Sequence, residues 1–291
     1  MKPAHAGHLA MLSFSVLIAG SFSLGALAAN EITPLALNAV RFWIAGAIIG
    51  TAAYLTTGIS RNALKAPWRY LALAAFFTTY FVLMFEGLKT AAPVSAAAVF
   101  TLTPILSAGF GWLLLRQVLT ARMALALAIG ALGALLVIFR ADIAALLRFQ
   151  IGKGEMIYFW GCVAHAAYTP MVRKLNRGEP TLVFTFGTLV AGAIILTFVG
   201  WRDLVATDWA NLPGIVWITI LYTAVIASAT TFTLLQFAAL RLPSSKVMAY
   251  TYLTPSWVIV WDIALGGTAP PAMVVLGLVL TVIALVMLLR D

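Results

Sequence analysis

Uncharged, mostly apolar stretches follow one another along the whole chain, separated by short groups of charged residues. Ten of them contain at least fifteen residues, at positions 3–30, 42–60, 70–85, 90–115, 123–139, 156–172, 180–201, 209–240, 247–261 and 263–289. A helix needs roughly 20 apolar residues to cross the hydrocarbon core, and a terminal Lys or Arg carries a shorter stretch to the interface. The pattern therefore predicts ten transmembrane helices, numbered here as segments 1 to 10.

Composition supports this interpretation. Of the 291 residues, 63% are hydrophobic and 9% are charged, whereas a soluble domain has about 25% charged residues. The apolar stretches are continuous and do not alternate with period two, which favours helices over a β-barrel. Short loops leave no room for a soluble catalytic or binding domain. The expected fold class is an all-α membrane protein.

The net charge of +9 reflects topology more than nucleic-acid binding, because the positive residues are distributed unequally between the two sides. Twelve lie on the side of the N-terminus: Lys2, Arg61, Lys65, Arg69, Arg116, Arg122, Arg173, Lys174, Arg177, Arg241, Lys246 and Arg290. Five lie on the other side: Lys89, Arg140, Arg148, Lys153 and Arg202. Arg41, inside segment 2, belongs to neither group. The positive-inside rule then places both termini in the cytoplasm.

The two halves of the chain repeat each other. Leu102-Thr103-Pro104 recurs as Leu253-Thr254-Pro255, and the matching pairs are Pro93 with Pro243, Trp112 with Trp261 and Arg140 with Arg290. The prolines at 93 and 243 are expected in the first turn of segments 4 and 9. Residues 1–150 and 151–291 would each hold five helices, so the second half enters the membrane from the opposite side. Such inverted repeats are typical of transporters whose substrate site lies between the halves, near the midplane.

The ends of segments 3 and 8 carry a resemblance to a known group. They read Glu86-Gly87-Leu88-Lys89-Thr90-Ala91-Ala92-Pro93 and Ala238-Ala239-Leu240-Arg241-Leu242-Pro243-Ser244-Ser245-Lys246, each followed by the mid-helix proline. With the five-plus-five arrangement, the chain resembles the drug/metabolite transporter superfamily with two EamA-type repeats. The resemblance covers essentially the whole chain and implies a multi-pass transporter for a small-molecule substrate, with no cofactor.

More narrowly, four elements resemble the bacterial amino-acid exporters of that superfamily. They are Tyr80, residues 101–104, Ala166-Ala167-Tyr168 and residues 252–255. At the positions where those exporters carry tryptophan or other aromatic residues, this chain has His165, Thr101 and Thr103. The resemblance implies export of amino acids or similar small metabolites across the bacterial inner membrane.

Residues near the repeated prolines and in segment 6 are the candidate site. Pro104 and Pro255 each free a backbone carbonyl inside a membrane helix, so they are candidate hinges or, alternatively, ordinary kinks. His165 lies mid-membrane, on one helix face with Gly161, which is expected to open space beside the imidazole. The alternative is a neutral histidine bonded to a neighbouring helix. The expected substrate-binding residues are Tyr80, Thr101, Thr103, His165, Tyr168, Tyr252 and Thr254.

The few carboxylates argue against tight ion coupling. Glu86 ends segment 3 and is expected to pair with Lys89, the alternative being a proton-coupling site, and Asp262 ends segment 9. Facilitated export is then the simplest mechanism, and efflux of lipophilic cations or drugs is the alternative. No His-Glu-x-x-His or Gly-x-Ser-x-Gly motif and no metal-ligand spacing occurs, so an enzyme and a metal site are not expected. The bilayer is the expected partner, and Leu127 is expected to face lipid.

Overall fold

The computed structural model describes residues 3–138, 151–268 and 272–289, and within these ranges every regular element is a helix. Six helical stretches are long and apolar enough to cross a membrane: Ala4–Ala28, Pro34–Thr56, Trp68–Leu88, Pro93–Leu115, Thr181–Val199 and Gly214–Ala239. The all-helical architecture is therefore confirmed for the described residues. Membrane crossing by the other four segments remains a prediction.

Each of the ten segments is helical. Segments 1 to 5 form Pro3–Ala28, Pro34–Thr56, Trp68–Leu88, Pro93–Phe100 followed by Thr103–Leu115, and Ala121–Ile138. Segments 6 to 10 form Lys153–Leu175, Thr181–Val199, Gly214–Ala224 with Thr231–Ala239, Ser244–Ala249 with Thr254–Ala264, and Ala272–Leu289. Among the described residues between segments there are two short helices, at Arg61–Leu64 and Trp201–Ala206.

Segment 2 starts earlier than its uncharged stretch. Its helix begins at Pro34, after the cap residue Thr33, whereas the stretch counted from the charge pattern begins at position 42. Arg41 therefore lies within the helix and is fully buried. A charged residue ended the stretch in the sequence pattern but does not end the helix, because its polar atoms are bonded inside the protein.

Within the described residues, three segments contain a break. Segment 4 is interrupted after Phe100 and segment 9 by a 3-10 turn at Tyr250–Leu253, and in each case the second residue of the following helix is the repeated proline, Pro104 or Pro255. Proline is tolerated there because the first turn of a helix needs no internal N–H bond. Segment 8 is broken by a π-turn at Val225–Thr230.

Segments 4 and 9 each begin at a proline that lies before the break. Pro93 is the first residue of its helix, as expected. Pro243 lies one residue earlier than expected, at the cap position before Ser244. Both match the use of proline where a helix begins and no internal donor is required.

Packing between the segments is symmetric. Segment 2 packs on segment 7 and segment 5 on segment 10, while segment 3 packs on segment 6 and segment 8 on segment 1. The second part of segment 4 also packs on segment 6, and the second part of segment 9 on segment 1. When each segment is replaced by its equivalent in the other half, five segments away, the same set of packed pairs results. The predicted boundary after residue 150, together with Arg140 and Arg148, falls at or within residues 139–150, outside the described residues, as do Lys2 and Arg290.

One layer of loops joins the segments on the side of the N-terminus. Gln117, after segment 4, accepts a 3.1 Å hydrogen bond from the backbone N–H of Ser244, at the start of segment 9. Arg173, near the end of segment 6, donates to the carbonyl of Leu240 at 3.3 Å. These contacts bring together the ends of segments 4, 6 and 8 and the start of segment 9.

A second layer joins the opposite ends. Asn30, between segments 1 and 2, donates to the carbonyl of Lys89, between segments 3 and 4. Ser95 at the start of segment 4 donates to the Glu155 carboxylate at the start of segment 6, at 2.7 Å. Successive segments thus run between two layers of loops.

Both ion pairs within the described residues lie at helix ends or loops. Lys89 Nζ lies 2.7 Å from Glu86 Oε2, which confirms the expected pair. The second pair was not predicted: Arg69, at the start of segment 3, lies 2.5 Å from Glu179 in the loop between segments 6 and 7. Arg69 is buried and also donates to the carbonyl of Leu175.

The prediction that Leu127 faces lipid is wrong. Leu127 is 2% exposed and packs in the main core, whereas Leu125 and Leu132 on the same helix are 56% and 58% exposed. Lipid tails are as apolar as leucine, so a wholly apolar helix carries no polar face that reveals its orientation.

Candidate functional site

A closed cluster of aromatic rings lies at the centre of the described protein. Its members come from segments 3, 4, 6 and 8, and none is more than 2% exposed. We call it the aromatic cluster; it consists of Phe77, Tyr80, Phe100, Tyr158, His165, Tyr168 and Phe232. Tyr80 and His165 each lie near the middle of their helices, whereas Tyr158 lies near the start of segment 6.

Ring contacts hold the cluster together across the two halves. The Phe77 and Phe232 rings stack with centroids 3.8 Å apart, joining segment 3 to segment 8. The His165 ring lies 4.3 Å from Tyr80 and 5.4 Å from Phe100. Segments 3, 4, 6 and 8 therefore meet at one buried surface.

His165 carries an unsatisfied polar atom. Its Nδ1 is buried and has no hydrogen-bond partner within the described residues. A buried, unpaired nitrogen costs about 1–3 kcal/mol, which a ligand or water could recover. Gly161, one turn earlier, does not open space beside the imidazole, because its free side faces the Tyr80 carbonyl and Leu83 of segment 3.

Hydroxyl groups tie the tyrosines to their neighbours. Tyr158 donates to the Tyr80 hydroxyl at 3.1 Å. Tyr168 accepts a 2.7 Å bond from Gln236 of segment 8, and Gln236 in turn accepts one from Thr185 of segment 7 at 2.9 Å. The phenol groups are thus fixed by hydrogen bonds among segments 3, 6, 7 and 8.

The broken segments 4 and 9 meet beside the cluster. The Thr103 hydroxyl donates at 2.7 Å to the Phe100 carbonyl, which Pro104 cannot bond because proline has no N–H. The same hydroxyl lies 3.2 Å from the hydroxyl of Thr251 in segment 9. Thr101 donates to the Ala98 carbonyl of its own helix. The two breaks are therefore in direct polar contact across the halves.

The remaining predicted residues lie apart from the aromatic rings. Tyr252 is buried with its ring packed against Gly130 of segment 5. Thr254 is buried with a hydroxyl that has no described partner, directly before Pro255. Of the seven predicted binding residues, the structure thus brings Tyr80, His165 and Tyr168 into one cluster, places Thr101 and Thr103 next to it, and leaves Tyr252 and Thr254 in segment 9.

Sequence reasoning missed several residues of this region. Phe77, Phe100 and Phe232 had no signal that distinguished them from other apolar residues. Arg41 did have a signal, since a charge inside a membrane segment indicates function by default. Its Cζ lies 3.6 Å from the centre of the Phe81 ring, which contacts the rings of the cluster.

The described carboxylates all lie away from the middle of the helices. Glu86, Glu155 and Asp262 occur within three residues of a helix end, and the others, Glu31, Glu179, Asp203 and Asp208, lie in loops or in the short helix after segment 7. In the described part of the chain, no group of three or more His, Cys, Asp or Glu residues is arranged to hold a metal ion.

Comparison with known proteins decides the family. The sequence model of the EamA-like transporter family matches the chain twice, over residues 5–139 and 152–290. The chain belongs to the EamA-like transporter family. This confirms the predicted membership of the drug/metabolite transporter superfamily and indicates a transporter rather than an enzyme.

The chain is also similar to two individual proteins. An uncharacterized transporter of Bacillus subtilis (strain 168), YyaM, is 27% identical over 278 residues, covering 95% of this chain and 91% of that protein. A crystal structure matches with a TM-score of 0.73 and 21% identity, over 98% of this chain and 95% of the other. The latter likeness supports the fold. The protein is thus a membrane transporter of a small molecule.

Proposed function

We propose that this EamA-like transporter exports amino acids or similar small metabolites across the bacterial inner membrane by alternating access. The observation that carries the proposal is the contact between two equivalent broken helices, through Thr103 and Thr251, beside a closed aromatic cluster. Broken helices at the interface of repeated halves are a recurrent way to build a midplane substrate site.

The proposed binding site consists of the aromatic cluster and the polar groups beside the breaks. Tyr80, His165 and Tyr168 supply ring faces and polar edges, and Thr101 and Thr103 supply hydroxyls. Tyr252 and Thr254 are the equivalent contributions from segment 9. Mostly apolar walls with a few polar groups suit a small solute with an apolar side chain and polar head.

We propose that this closed arrangement is an occluded state. Every ring of the cluster is at most 2% exposed, so a solute enters only if the surrounding segments separate. We place the hinges at Pro104 and Pro255, where the helices already lack one backbone hydrogen bond and bend at low cost. A few kcal/mol between states is enough for a populated exchange.

The proposed topology has ten transmembrane helices in two inverted repeats, residues 1–150 and 151–291, with both termini in the cytoplasm. The two layers of loops support it. Among the described residues, ten Lys and Arg belong to the layer on the side of the N-terminus and three to the other. The positive-inside rule assigns the first layer to the cytoplasm.

The positions of the described carboxylates favour metabolites over lipophilic cations as the substrate. A site for organic cations would be expected to place a carboxylate against the ligand, yet each described carboxylate is at a helix end, in a loop or in the short helix after segment 7. No described carboxylate lies near the midplane, so none is placed to bind and release a proton that is tightly coupled to transport. We therefore propose facilitated export down a gradient.

Counterflow in proteoliposomes tests the proposal. Vesicles preloaded with an unlabelled amino acid should take up the same labelled amino acid faster than protein-free vesicles for at least one member of a panel of the twenty. Tetraphenylphosphonium, a lipophilic cation, should not exchange. Exchange of the cation without exchange of any amino acid would favour drug efflux instead.

A further inference from the structure

Arg41 is a fully buried cation held by neutral groups. It is 0% exposed, and its Nε donates to the Ser228 hydroxyl at 2.7 Å. Its two terminal nitrogens donate to Asn38 Oδ1 at 3.2 Å and to the Ala227 carbonyl at 3.4 Å. Both ion pairs in the described part of the chain involve other residues. The charge is therefore not neutralised by any described carboxylate.

A buried charge without a counter-ion is costly in a membrane, so it is retained where it performs a function. The guanidinium has five N–H donors in a planar fork, and the three bonds above use three of them. Two of these bonds, at 3.2 and 3.4 Å, lie at or beyond the upper end of the usual N–H···O distance range. Arg41 therefore has the capacity to accept an anion in place of these two partners.

Arg41 also lies beside the proposed binding site. Its guanidinium stacks on Phe81, whose ring centre lies 4.7 Å from those of both Tyr80 and Phe77 in the aromatic cluster. One ring thus separates the positive charge from the cluster. A solute whose two ends lie a few ångströms apart could contact both the Arg41 guanidinium and the aromatic cluster when the cluster opens.

The helix that holds Arg41 in place is itself irregular. Ser228 and Ala227 belong to the π-turn that interrupts segment 8 near its middle. Such π-turns recur at functional sites because they redirect side chains and free backbone carbonyls. Two of the three neutral partners of Arg41, Ser228 and Ala227, therefore lie on an element that can rearrange without breaking a regular helix.

We propose that Arg41 binds the carboxylate of the transported solute through its guanidinium fork, while the aromatic cluster binds the apolar part. This proposal rests on the proposed function for its solute, and it narrows the substrate class to small carboxylates. The carboxylate of the solute then neutralises the positive charge of Arg41 in each transport cycle. A carboxylate suits the fork because two parallel N–H···O bonds match its geometry.

Binding can be tested independently of transport. The thermal unfolding of the purified protein in detergent is measured with phenylacetate and with phenylacetamide, which share a shape but differ in charge, at equal ionic strength. Phenylacetate at a concentration well above its dissociation constant should raise the Tm by at least about 2 °C, and the amide should not.

Three variants make the result specific to Arg41. Arg41→Met should lose the phenylacetate shift, and Arg41→Lys, which keeps the charge but not the fork, should need about tenfold more ligand for the same shift. Arg202→Met removes an exposed positive charge in the short helix after segment 7 and should retain the full shift. If Arg41→Met does not fold, the comparison of Arg41→Lys with Arg202→Met decides.

The outcomes separate this inference from the proposed function. Equal stabilisation by the amide, or an unchanged shift in both Arg41 variants, would overturn the carboxylate site even if amino acids are exchanged in counterflow. A phenylacetate shift that depends on Arg41, in a protein that exchanges no amino acid, would support the carboxylate site and contradict the proposed amino-acid export.

Discussion

The ion pair between Arg69 and Glu179 should contribute strongly to stability. The two side chains are 1% and 9% exposed and lie 2.5 Å apart, joining segment 3 to the loop after segment 6. Removing one partner of a fully buried pair costs about 3–5 kcal/mol, and because Glu179 is only partly buried and carbonyls also bind Arg69, we place the cost near 3. At roughly 2 °C per kcal/mol for a chain of this size, Glu179→Gln should lower the Tm by about 6 °C.

This loss should depend on pH. Burial acts to raise the pKa of Glu179, but hydrogen bonds from Arg69 and from the backbone N–H of Arg177 outweigh it, so the pKa lies below its ordinary value. A depressed pKa stabilises the folded state above the ordinary value of about 4.3, and the stabilisation disappears as the pH falls through the lower, folded-state pKa. The Tm difference should therefore be full at pH 7 and shrink below pH of about 4.

Thermal unfolding followed by tryptophan fluorescence in detergent measures both effects. Glu86→Gln is the matched control, because the Glu86–Lys89 pair is exposed and such pairs are worth about 0.2–1 kcal/mol. A double variant, Arg69→Met with Glu179→Gln, should lose less than the sum of the single changes. A Tm for Glu179→Gln within about 1 °C of wild type at pH 7 would refute the reasoning.

Three further predictions concern the transport cycle. Pro104→Ala and Pro255→Ala should change counterflow rates while the protein stays folded, because each restores a backbone donor and stiffens a hinge; unchanged rates in the double variant would reduce both prolines to kinks. His165→Trp should abolish counterflow by filling the cluster, whereas Leu125→Trp, on an exposed face, should not. Normal transport by the His165→Trp variant would show that the solute does not pass through the cluster. Leu265→Cys should react with an impermeant maleimide only from outside the cell; labelling only from the cytoplasm would invert the proposed topology.

Much of the fold could be predicted because a bilayer imposes a strict length and composition on its helices. The segments, the helix breaks before Pro104 and Pro255, and the Glu86–Lys89 pair all followed from local patterns. Arg41 shows the limit of that approach: a charge marks the end of an apolar stretch in the sequence, although its buried partners keep the helix continuous.

The candidate site was harder to predict, because its closest contacts join residues distant in sequence. Phe77 and Phe232 stack although 155 positions separate them, and no local pattern marks either as central. The prediction that Leu127 faces lipid fails because an entirely apolar helix gives no indication of which face is buried. Tyr252 is predicted to share a binding site with Tyr80, but its ring packs against Gly130 of segment 5.

The central claim is that segments 4 and 9 must separate for a solute to pass. Thr103 and Thr251 allow a direct test, because their hydroxyls lie 3.2 Å apart. In a background with the buried Cys162 replaced by Ala, Thr103→Cys with Thr251→Cys should form a disulfide under oxidation, detected by thiol titration. Counterflow should then stop and return when the bond is reduced. Undiminished counterflow with the disulfide fully formed would contradict the account.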